Sequence, residues 1–246
     1  MNKLAILIAS ALLALSSVNA TTIAWWDFSV LAGGHTFTEP EDEHLRTEHG
    51  PDGLPPNTLA PGVTNPGGLQ RGSSDTNHIG NPRRGGSWGG VNFRDGSYDI
   101  AVANGRYYEF TLNFDPDTII KLTMLEGYFY TSSTGPNLAQ WAYSINDDPN
   151  FYKIGGAVEL VDNGSAYYKI LLDDINTKAN WEEYNSITFR VVAWGGTGTS
   201  GSFYFDGRNK TNGIPGLALY GVIPEPSVAL LFGIGIVFIA CRRKKR

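Results

Sequence analysis

Carboxylates are the most plentiful reactive groups in this chain, 24 Asp and Glu among 246 residues, and their spacing decides what they can do. Asp147-Asp148, Asp173-Asp174 and Glu182-Glu183 are neighbours in sequence, and neighbours on a strand point to opposite faces. Glycoside cleavage needs two carboxyls about 5–10 Å apart across a cleft. Such a pair must be assembled from distant parts of the chain. Asp27 and Asp206 sit on strands expected first and last in the domain, which would let them share a structural calcium ion through oxygen ligands. No other cofactor is expected. The densest polar cluster runs from Glu39 to His49; the spacing of His44 and His49 fits no standard zinc pattern, and it reads as a solvated acidic loop.

Two familiar motifs lack the context that would give them chemistry. Gly85-Gly86-Ser87-Trp88-Gly89 fits the pattern of a nucleophilic serine, but that serine needs a strand before it and a helix behind it. Here a Gly/Arg-rich loop runs into a strand. Gly196-Thr197-Gly198-Thr199-Ser200-Gly201 matches the dinucleotide fingerprint without the following helix that would bind pyrophosphate, and reads as a flexible hairpin loop. Trp88 and Trp141, flanked by Gly86, Arg83, Arg84 and Gln140, are candidates for stacking on sugar rings, with core or interstrand packing the reading preferred for them. Trp25, Trp26, Trp181 and Trp194 read as core or interstrand packing, the default for a strand tryptophan.

The elements that must position these residues are strands. In 106–114, Tyr108, Phe110, Leu112 and Phe114 alternate with Tyr107, Glu109, Thr111 and Asn113, the pattern of a half-buried antiparallel strand. Further strands are expected at 22–28, 119–130, 140–145, 167–172, 187–194, 202–206 and 217–223, with short ones near 62–64 and 90–93. Asn, Asp, Gly and Pro turns separate them. Outside the terminal segments no stretch has helical periodicity beyond a turn in 176–184. The expected fold is all-β, a jelly-roll-like antiparallel β-sandwich, with residues 31–90 supplying long loops.

Both ends of the chain read as export signals. Lys3, an apolar run from Leu4 to Leu15 and Val18-Asn19-Ala20 make a signal peptide over 1–20, cut after Ala20. At the other end Pro224-Glu225-Pro226 breaks regular structure. Val228 to Cys241 follows without a charge, then Arg242, Arg243, Lys244, Lys245 and Arg246. A helix of that apolar run is about 21 Å long against a hydrocarbon core of ~30 Å, a short transmembrane anchor with its basic end in the cytoplasm. Between them, residues 21–221 form one exported domain with 13 Lys and Arg against 23 Asp and Glu, a net of −10. Acidity of that size excludes nucleic acid as the partner, since phosphate binding rests on cations. The single cysteine, Cys241, lies in the anchor, so the domain has no disulfide and must rely on its core.

The C-terminal order over 222–246 resembles the PEP-CTERM sorting signal of Gram-negative bacteria that make extracellular polysaccharide. That resemblance implies handling by signal peptidase and by the membrane protease exosortase, which cuts near Pro224-Glu225-Pro226. It also implies brief anchoring in the inner membrane, then delivery to the cell surface or matrix. Ile23-Ala24-Trp25-Trp26-Asp27-Phe28, Gly68-Leu69-Gln70-Arg71-Gly72, Tyr107-Tyr108-Glu109-Phe110-Thr111-Leu112, Ser133-Thr134-Gly135-Pro136 and Thr188-Phe189-Arg190-Val191 are similar to the β-domains that precede such signals. Ser202-Phe203-Tyr204-Phe205-Asp206 resembles the closing strand of jelly-roll carbohydrate-binding modules. The reading that follows is a non-enzymatic surface or matrix protein associated with polysaccharide. A glycan-binding lectin and a jelly-roll polysaccharide hydrolase or lyase stand as alternatives.

Overall fold

The computed structural model describes residues 20–28, 53–72, 87–116, 118, 120–173, 175, 184–207 and 216–223. The signal peptide before Ala20, the Glu39–His49 cluster, Trp181, Pro224-Glu225-Pro226, the apolar span and the basic tail lie outside the described residues. Among the described residues no helix is long and apolar enough to cross a membrane.

Fourteen strands form two sheets. The first sheet holds β1 (Thr21–Trp26), β2 (Thr58–Leu59), β5 (Ser87–Val91), β7 (Lys121–Thr131), β11 (Gly164–Leu171), β13 (Ser202–Asp206) and β14 (Leu217–Val222). The second holds β3 (Val63–Thr64), β4 (Leu69–Arg71), β6 (Tyr107–Phe114), β8 (Leu138–Ile145), β9 (Tyr152–Lys153), β10 (Val158–Glu159) and β12 (Ser186–Trp194). Every pairing is antiparallel. The sheets face each other across an aromatic core, as Trp26 against Phe110 (4.7 Å), Tyr108 against Phe203 (5.5 Å) and Phe129 against Trp141 (6.2 Å) show. The expected antiparallel sandwich is what the chain builds.

The register of β6 is as its alternation dictates. Tyr108, Phe110, Leu112 and Phe114 are buried, whereas Glu109 and Thr111 are only partly buried and meet Arg190 and Thr188 of β12. The long expected strands all form, with ends displaced by a few residues. Unexpected are β2, β4, β9, β10 and a helix α1 (Tyr98–Ala103), each too short for a period to register. The helix did carry local signals: Ser97 caps it by accepting from the Ile100 N–H, Asp99 sits in its first turn, and Gly105 leaves it at φ 69°.

The loop 195–201 is a correction. It is not a flexible hairpin, because β12 and β13 belong to different sheets; it is the passage between them. Its backbone is tied down: the Gly196 N–H donates to Phe93 O at 2.8 Å and the Thr197 N–H to Thr134 O at 3.1 Å. A Cβ on Gly201 would lie 1.9 Å from Thr134 O, so the glycines serve close backbone approach, not nucleotide binding. The serine motif resolves similarly, since Ser87 opens β5 with no helix behind it.

Candidate functional site

β7 organises the outer face of the first sheet. Along one edge it pairs with β11 from Met124 to Thr131. Its other edge is shared end to end by β14, opposite Lys121 to Gly127, and β13, opposite Phe129 to Thr131. Leu125 and Phe129 enter the core, so Met124, Glu126, Tyr128 and Tyr130 point outward. Leu172 N–H donates to Thr123 O at 3.0 Å, which fixes the phase of the β7–β11 ladder. Glu126 with Lys169, Tyr128 with Tyr167 and Tyr130 with Ser165 are therefore non-hydrogen-bonded pairs, the closer kind.

Glu126 is the centre of this face. It is 7% exposed, yet its carboxylate is fully engaged. The Tyr167 hydroxyl donates to Oε2, and the Tyr220 hydroxyl donates to Oε1 at 2.8 Å. Ala218, opposite Glu126 on β14, is small enough to leave the carboxylate room. Tyr128 lies against Tyr167 with ring centroids 5.5 Å apart, and Tyr167 remains 38% exposed. Both Tyr167 and Tyr220 are held protonated well above the ordinary tyrosine range, first by burial and then by the hydrogen bond to Glu126. Two phenols fixed as donors toward a carboxylate turn their lone pairs outward. The result is a pre-ordered, aromatic surface rich in acceptors for hydroxyl groups.

Asp206 belongs to the same face. It follows the core residue Phe205, is almost fully buried, and accepts from the Ser165 hydroxyl. Tyr130 and Tyr204 stack beside it at 6.3 Å. The strand that carries Asp206, β13, pairs with β7 and β5, while β1 pairs with the true last strand, β14. The strand order expected for Asp27 and Asp206 is corrected: β13 is not the last strand and does not pair with β1. Phe28, which follows Asp27, stacks on Phe205, which precedes Asp206, at 5.4 Å. Among the described residues no three His, Cys, Asp or Glu side chains gather as for a metal ion.

Trp88 and Trp141 are not a sugar platform. They are 5% and 2% exposed. Trp88 packs on Tyr108 at 5.2 Å and is covered by the Arg71 guanidinium at 4.6 Å, while Trp141 lies on Phe129. Both ring faces are spent inside the sandwich. Trp25, in contrast, pairs with Ala218 and is partly buried on the outer face.

The outer face of the second sheet is closed by its own pairings. Arg190 lies between the rings of Tyr107 (3.9 Å) and Phe151 (3.7 Å) and donates twice to Glu109 Oε2, at 2.9 and 2.7 Å. Lys153 covers Tyr98 at 4.0 Å, and α1 packs Ala101 against Val192 and Trp194. That face is a docking surface for α1, already filled.

No family model matches the chain, and no curated protein matches it. Among solved structures, it is similar to a family 29 carbohydrate-binding module at 9% identity and a TM-score of 0.31, covering 84% of this chain and 90% of that one. A non-crystalline cellulose specific module of family 28 is similar at 8% identity and a TM-score of 0.32, over 68% of this chain and 89% of that one. The F5/8 type C domain of a Bacteroides fragilis protein matches at 12% identity and a TM-score of 0.26, over 52% and 77%. Scores of this size carry no argument about what this chain binds.

Proposed function

We propose that this is a non-enzymatic, exported protein that binds extracellular polysaccharide on the outer face of its first sheet, presented on a jelly-roll-like sandwich. The observation that carries the reading is the Glu126 carboxylate held between the Tyr167 and Tyr220 hydroxyls beside Tyr128. Flat aromatic rings recognise a pyranose by stacking, and phenol oxygens whose protons are committed to Glu126 accept from its hydroxyls. The purified protein is expected to be retained saturably by extracellular polysaccharide and to release no new reducing or unsaturated chain ends. Retention by no polysaccharide in a panel of neutral and acidic polymers would sink the reading. Running the panel with calcium and with a chelator tests the proposed ion at Asp27 and Asp206, which predicts tighter retention with calcium.

A second reading has one specific support: Glu126 and Asp206 are both buried carboxylates on that face. A hydrolase or lyase would use them as its acid and base, and appearance of chain ends would favour it.

Delivery is part of the same proposal. The signal peptide cut after Ala20 begins export, the span after Ser227 halts it, and exosortase acts near Pro224-Glu225-Pro226. Replacing those three residues with alanine should leave insertion intact and accumulate full-length protein in the inner membrane. Release at the wild-type rate would reduce the motif to a linker.

A further inference from the structure

The first sheet ends in β11, which among the described residues pairs with β7 alone. The ladder phase set by Leu172 N–H to Thr123 O directs the backbone groups of Gly164, Ala166, Tyr168 and Ile170 to β7. Those of Ser165, Tyr167, Lys169 and Leu171 therefore face away from the sheet. None of these four has a backbone partner among the described residues. The strand is eight residues long, has no proline and keeps an unbroken register. Leu171 is 60% exposed and Tyr167 38%. A long, regular open edge of this kind is a template for another strand.

The side chains say which strand fits. An antiparallel partner must match outward-facing residues with outward-facing residues, so a second β11 has three central registers. One sets Lys169 against the other copy's Lys169, which like charges disfavour. One sets Tyr167 against the other copy's Tyr167 and leaves Leu171 unpaired. The third sets Ser165 opposite Leu171 and Tyr167 opposite Lys169, pairs every outward residue, and covers the exposed leucine. It also brings the strand's one charge, Lys169, to the other copy's Tyr167, whose hydroxyl is bonded to the Glu126 carboxylate. The charge that guards this edge against other strands is thus met when the strand is its own.

We propose that two copies of this chain join edge to edge through β11, antiparallel and two-fold, with Tyr167 of each opposite Lys169 of the other. The sheet then runs unbroken through both copies.

The test uses the full chain with Cys241→Ala. Ser165→Cys combined with Leu171→Cys should oxidise to a covalent dimer, because opposed residues of a hydrogen-bonded pair lie ~5.5 Å apart at Cα, within disulfide reach. Lys169→Cys alone should form no cross-link, since the proposed register keeps the two copies of residue 169 apart. Lys169→Pro added to the double variant should abolish cross-linking while leaving the circular-dichroism spectrum unchanged, because it removes an N–H that faces away from β7. Sedimentation of the unsubstituted chain should give the mass of two copies. A monomer by sedimentation, or cross-linking that survives Lys169→Pro, overturns the proposal.

Discussion

Phe110→Ala is expected to lower the stability of the domain by about 3–5 kcal/mol, the usual cost of emptying a buried aromatic site. Phe110 is buried between two partners that have no way to follow it. Trp26 of the opposite sheet lies at 4.7 Å, and Phe189, its cross-strand neighbour, stacks at 5.4 Å. Trp26 is itself held by its indole N–H donating to Leu54 O at 3.0 Å, so collapse into the cavity would break that bond. One residue along, Thr111 faces outward and exchanges a 2.8 Å hydrogen bond with Thr188. Thr111→Ala should cost about 1 kcal/mol. Denaturant unfolding of both variants gives the comparison, and similar losses would mean that the strand's two faces are not core and surface as described.

Glu126→Gln is expected to weaken polysaccharide retention about ten- to a hundredfold, the equivalent of roughly 1.5–3 kcal/mol for hydrogen bonds to a charged group. The substitution keeps the shape of the side chain and removes the charge that both phenols address. It has a second, independent readout. Tyr167 and Tyr220 are raised in the folded protein, so above the ordinary tyrosine value of about 10 the unfolded chain loses protons that the folded chain keeps. Stability therefore falls as pH rises through that region. In Glu126→Gln the phenols should ionise earlier by ultraviolet titration, and the alkaline fall should become shallower. Unchanged retention together with changed titration would leave Glu126 as a fold element and remove it from the binding site.

The strands were legible wherever one face meets the core and the other meets solvent, as in β6. They were also legible in β13, where a run of aromatics bounded by glycine is strand-like although all five residues are buried. The site was not. Tyr167 and Tyr220 stand 41 and 94 residues from Glu126, and only the pairing of β7 with two different strands brings them to it. The available sign was a single glutamate at the middle of the apolar run Met124 to Tyr130, a residue that a strand rarely buries without a partner. Trp88 and Trp141 are the opposite case, packed in the core as preferred for them although their sequence context is polar. Their glycine, arginine and glutamine neighbours look like surface, but Gln140 turns its amide to Ile154 O at 2.8 Å, and the Trp88 ring is covered by the guanidinium of Arg71, far from it in sequence. The polar neighbour Gln140 is here part of the packing.

The pairing of β1 with β14, Thr21 opposite Gly221 and Trp26 opposite Leu217, sets the order in which the domain can be finished. β1 can meet the two-residue β2 early, but its long ladder must wait for the last strand made, because such long-range closure comes late. Only when Leu217–Val222 arrives does β7 gain a partner along Lys121 to Gly127, on the edge whose other end β13 holds, and β1 its long ladder. Pro224 follows that strand within two residues. On the proposed export route, completion of the sheet and arrival of Pro224-Glu225-Pro226 would thus be timed by one event, and a chain halted there would just have become able to fold.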